Sequence, residues 1–90
     1  MDKFVYVLTT EWDYYDGDDL NHKIIGIFDS FKKAYNEYQK RIEKYNEVNK
    51  PFEIDCDIYF KQNTDSLKHT IYNRVDKEYT GYIIEKIKVE

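Results

Sequence analysis

Apolar residues recur along this chain in two periods, and the change between them locates most of its elements. In residues 3–10, KFVYVLTT, Phe4, Tyr6 and Leu8 alternate with Val5 and Val7. Both faces are apolar, as expected of a central strand. Residues 11–22, EWDYYDGDDLNH, are polar apart from their rings and carry the turn signal Asp16-Gly17. A second strand follows over Lys23–Asp29, so a long acidic, aromatic loop closes a hairpin. The period then changes at Asp29-Ser30. Phe31, Ala34, Tyr35, Tyr38, Ile42 and Tyr45 recur three or four apart and form one stripe of a helix. Asp29 or Ser30 can cap its first turn, and Pro51 disfavours helical geometry at Lys50, which ends it.

Beyond the helix the pattern is strand-like again. In residues 52–60, FEIDCDIYF, Phe52, Ile54, Cys56, Ile58 and Phe60 share an apolar face, and Glu53, Asp55, Asp57 and Tyr59 share the other. Residues 61–67 read as a loop, His69–Val75 as a strand, 76–78 as a turn and Tyr79–Val89 as a last strand. In that last strand Ile83, Ile87 and Val89 share a face that Glu85 interrupts. The charged residues Lys33, Glu37, Lys40, Arg41, Lys44 and Glu47 make the solvated side of the helix, with Lys33–Glu37 and Glu37–Arg41 spaced for ion pairs. The expected fold is α+β: a small antiparallel or mixed sheet of four to five strands with one amphipathic helix on one face. The order is β-β-α-β-β-β, in a single domain over 1–90. One helix covers only one face, so the other is solvated, tyrosine-rich or an interface.

Composition narrows the chemistry. Ten tyrosines, five phenylalanines and one tryptophan supply large rings whose polar tips want water or a partner, so several should sit half-exposed. Cys56 is the lone cysteine and reads as a small buried hydrophobe, with no internal disulfide open to it. Nothing resembles a signal peptide, and no apolar run approaches the ~20 residues of a membrane helix. A cytoplasmic protein without a membrane partner is expected. The formal charge of −4 argues against direct nucleic-acid binding and permits docking on a basic surface that itself holds nucleic acid.

The segment VYVLTTEWDYYDGDDLNHKIIGIFDSFKKAYNEY resembles the opening of a family of small uncharacterised bacterial and phage proteins. The shared pattern is a VYVL strand, an acidic loop, a Lys-Ile-Gly strand and a Ser-capped helix with an Ala-centred first turn. It falls here on Val5–Leu8, Asp16–Asp19, Ile25–Phe28, Ser30 and Ala34. The closing GYIIEKIKVE is similar to the end strand such proteins carry. The resemblance implies a fold and a microbial or phage setting, and it transfers no site.

Catalytic patterns are missing from the sequence. His22 and His69 both sit in polar stretches and read as surface residues. No Cys or His pair has zinc spacing, and the three glycines are scattered. A non-enzymatic protein without a cofactor or metal is therefore expected. Two acidic constellations remain as candidate protein-binding residues. In the loop, Asp16, Asp18 and Asp19, with Glu11 and Asp13 nearby, lie beside Trp12, Tyr14 and Tyr15, and such rings are common interface anchors. On the strand, Glu53, Asp55 and Asp57 stand about 6.6 Å apart, similar to the step of a nucleic-acid backbone. The expectation is an inhibitor, phage or mobile-element derived, that docks on a host protein. A nucleic-acid-binding defence effector, such as a CRISPR nuclease, is the suggested class of target. The alternative is a small-ligand or divalent-metal domain built on the acidic loop. Homodimerisation is compatible with either.

Overall fold

The computed structural model describes residues 3–13, 21–49, 56–75 and 77–89. In chain order these form β1 (Lys3–Asp13), β2 (Asn21–Phe28), α1 (Phe31–Asn49), β3 (Cys56–Gln62), β4 (Leu67–Asn73) and β5 (Glu78–Val89). The strands make one sheet in the order β2-β1-β5-β4-β3, and every neighbouring pair is antiparallel. The fold is the α+β arrangement that the patterning implies, and β1 lies between β2 and β5 as its two apolar faces require.

The helix begins where the period changes. Ser30 is its cap: the Lys33 amide donates to Ser30 Oγ at 3.2 Å. Asp29 instead meets the Lys33 ammonium at 2.9 Å, and Glu37 pairs with Arg41 at 3.3 Å. All six stripe residues face the sheet. Ala34, Tyr38 and Ile42 join Leu8, Leu67, Ile71, Tyr82 and Ile84 in the buried core, and Phe31, Tyr35 and Tyr45 pack against it.

Boundaries move where a distant strand supplies partners. β1 runs on to Asp13, because Glu11, Trp12 and Asp13 pair with Gly81, Thr80 and Tyr79 of β5. Trp12 therefore belongs to a strand rather than to the loop expected over 11–22. Between β4 and β5 the chain turns at Arg74-Val75, where the Asn73 side chain accepts the Val75 amide at 2.9 Å, and at Lys77, whose φ is +56°.

Two strand faces differ from expectation. The helix lies over β2, β1 and β5 and stops short of β3. The helix-side residues Ile58 and Phe60 are consequently 65% and 52% exposed, and Cys56 is half-buried at the margin of the core. The other half of that expected apolar face, Phe52 and Ile54, lies outside the described residues. In β5 the buried residues are Tyr82 and Ile84. Ile83, Glu85, Ile87 and Val89 all point away from the helix, which is why a carboxylate is tolerated among them.

Candidate interaction site

Among the described residues no helix lies on one face of the sheet, and the pairing register fixes which strand residues it presents. Cross-strand partners share a face, and successive residues alternate. Leu8, Ile84 and Leu67 form one buried helix-side row across three strands, so the alternate rows are open. One open row reads Asp13–Tyr79–Tyr72–Asp57 across β1, β5, β4 and β3. The next reads His22–Glu11–Gly81–Thr70–Tyr59 across all five strands. Toward the other end the face turns aliphatic, with Ile24, Thr9 and Ile83, then Ile27, Val7 and Glu85, then Val5 and Ile87. This face carries three tyrosines and three carboxylates at one end and a branched-chain patch, with Glu85 among it, at the other.

Two local devices shape it. β2 holds one residue more than β1 opposite the Leu8/Thr9 step, so the pairing skips Ile25. This bulge turns Ile25 toward the core and brings Ile24 and Ile27, three residues apart, to the open side, where they are 56% and 63% exposed. At the other end the Tyr79 hydroxyl donates to Glu11 Oε2 at 3.3 Å. To do so it passes over Gly81, where an added Cβ would sit 3.1 Å from that hydroxyl and 3.3 Å from the Thr70 methyl. Burial, then the Glu11 charge and this hydrogen bond, push the Tyr79 hydroxyl pKa up.

The predicted site residues are divided by this geometry. Asp57 lies on the open face of β3, 3.6 Å from the Arg74 guanidinium. Trp12 pairs with Thr80 and Asn21 on the helix side and is half-buried, so β1 and β3 present Trp12 and Asp57 to opposite faces. Tyr14, Tyr15, Asp16, Asp18, Asp19, Glu53 and Asp55 lie outside the described residues. The strand ends bordering them, Asp13 and Cys56, are at the same end of the sheet. Tyr72 and Tyr79 join this site only through the β4–β5 register, and no local spacing marked them.

The helix side carries a second polar cluster, which corrects the reading of His69 as a surface residue. His69 is half-buried, and its Nδ1 lies 2.6 Å from the Tyr38 hydroxyl. Phe60 and Tyr38 pack edge-on against its ring. Burial lowers the His69 pKa. Burial, reinforced by Tyr35 and Tyr82, pushes the Tyr38 hydroxyl up to about 12. Both groups are thus neutral near pH 7, and this arrangement anchors the helix without activating a nucleophile. Among the described residues no three His, Cys, Asp or Glu side chains gather as metal ligands, and no helix is long and apolar enough to cross a membrane.

The family model described as Domain of unknown function (DUF7336) matches residues 3–66. No curated protein and no solved structure matches the chain. The matched span supplies both sheet edges and the helix, while β4 and β5, which lie beyond it, fill the sheet between β1 and β3.

Proposed function

This chain belongs to the DUF7336 family, and we propose that it is a non-enzymatic protein-binding domain that docks through the open face of its sheet. The observation that carries this reading is the row Asp13–Tyr79–Tyr72–Asp57 beside an uncovered aliphatic patch on one face. Tyrosines present large rigid area with a hydrogen-bonding tip, and flanking carboxylates steer a basic partner without supplying most of the affinity. The partner that fits is a protein with an apolar centre and a basic rim. In a microbial or phage setting such a domain acts as an inhibitor, and the narrower target is a nucleic-acid-binding defence effector. That narrower reading draws on the resemblance, on the formal charge of −4 and on Asp57 as the placed member of the strand's acidic ladder.

Parallel captures from a bacterial lysate test the docking face. A partner held by the wild-type chain and by Lys40→Ala on the solvated helix side should be lost from Tyr72→Ala and Ile87→Asp. Retention by both open-face variants, once melting curves show them folded, would move the interface off this face.

A further inference from the structure

The sheet ends in two edge strands of different character. β2 is blunted by the bulge at Ile25, a common protection against edge-to-edge association. β3 runs against β4 with an unbroken register. Its residues Ile58, Tyr59 and Phe60 are consecutive, large and 65%, 52% and 52% exposed. The Asn63 amide donates to the Ser66 carbonyl at 3.0 Å, which sets the phase of the ladder. Alternate residues Lys61, Tyr59 and Asp57 then direct their backbone groups at β4, leaving those of Ile58 and Phe60 directed outward.

The outer edge of β3 is complementary to itself. A two-fold axis through Tyr59, with strands antiparallel, sets Asp57 opposite Lys61 of the second copy and Lys61 opposite its Asp57. Ile58 then faces Phe60 and Phe60 faces Ile58, and the two tyrosines meet on the axis. Each residue faces one from the same side of the sheet, so the alternation is kept. The outward backbone groups of Ile58 and Phe60 are those that exchange hydrogen bonds in this register. Among the described residues, centring the axis on Ile58 or Phe60 instead sets Asp57 or Lys61 opposite Tyr59 and brings no opposite charges together. Arg74 at 3.6 Å leaves Asp57 64% exposed, and a carboxylate accepts from more than one cation.

We infer that the chain forms a two-fold dimer by antiparallel β3–β3 pairing centred on Tyr59, which joins two five-stranded sheets into one of ten strands. The partner is a second copy of this chain, selected by two symmetric Asp57–Lys61 pairs on the open face and by Ile58–Phe60 contacts on the helix side, beyond the reach of the helix. The dimer is built on the edge of β3 and the docking surface on the open face, with Asp57 common to both, and the pairing places the open faces of two copies side by side. A contact of one short strand pair is small, so the affinity is expected in the micromolar range.

Sedimentation velocity on the full chain from about 10 to about 500 µM tests this. The mass should rise from 11.0 kDa toward twice that value. Asp57→Lys and Lys61→Asp each set like charges together at two symmetric positions and should raise the dimer Kd at least about tenfold. The two substitutions combined exchange the charges and should restore dimerisation to within about threefold of wild type. A monomer at every concentration, single reversals without effect, or a double variant that stays monomeric would each overturn the proposal. Should a single reversal unfold the chain, Tyr59→Cys with Cys56→Ser decides instead. The axis sets the two Cα atoms about 4.5 Å apart, within disulfide reach, so oxidation should give a covalent dimer. No cross-link would overturn the register.

Discussion

Among the residues whose pKa the fold shifts, His69 is the one that titrates on the acid side of neutrality. Its pKa is lowered by burial, so the fold favours the neutral ring. As pH falls through the unfolded value of about 6.5, the unfolded chain takes up the proton first. Stability should therefore be full above that pH, decline toward the folded pKa, and level off below it. Urea melts between about pH 7 and 5 should show the decline, and His69→Gln should flatten it. The tyrosines act in the opposite direction. Tyr38, Tyr45, Tyr79 and Tyr82 all have raised pKa values, chiefly through burial. Their contribution is complete below about pH 10 and is lost as pH rises toward the folded values, about 12 for Tyr38. A stability plateau between these two limits is expected. At Gly81 the close passage of Tyr79 gives a separate test. Gly81→Ala should cost about 0.5–1.5 kcal/mol through the Tyr79–Glu11 hydrogen bond, and less in a Tyr79→Phe background.

Among the elements, the helix supplies Ala34, Tyr38 and Ile42 to the buried core. Tyr38→Ala and Ile42→Ala empty buried positions and should each cost roughly 2–5 kcal/mol in denaturant melts, while Lys40→Ala costs little. Ser30→Ala removes the cap and should cost about 1 kcal/mol. The helix was readable because its period, cap and stop are all local. The extension of β1 to Asp13 was not, since its partners Gly81, Thr80 and Tyr79 come from the far end of the chain. Alternation correctly separated the two faces of β3, but it could not reveal that the helix stops short of that strand and leaves Ile58 and Phe60 exposed. The burial of His69 is hidden from the sequence for a related reason: its polar neighbours give no hint of Tyr38 lying above it.

For the whole molecule, the docking proposal turns on which surface would meet a partner. From the sequence, the acidic loop and the strand ladder stood out because their charges are adjacent along the chain. The face that the fold assembles draws instead on Asp13, Tyr79, Tyr72 and Asp57, from four strands, so only the register brings them together. Of the earlier candidates, Asp57 keeps its place on this face, while Trp12 turns to the helix side. On the docking proposal, binding energy should concentrate in the open-face tyrosines, and the carboxylates should set the salt dependence of association.

The most direct measurement is the dissociation rate of Tyr72→Ala from a partner captured by the wild-type chain, beside that of Lys44→Ala on the solvated helix side. If the open face is the docking surface, Tyr72→Ala should dissociate at least about 30-fold faster, equivalent to ~2 kcal/mol, and Lys44→Ala should match wild type. A folded Tyr72→Ala chain that leaves as slowly as wild type, with Lys44→Ala leaving faster, would contradict the proposal and move the interface to the helix.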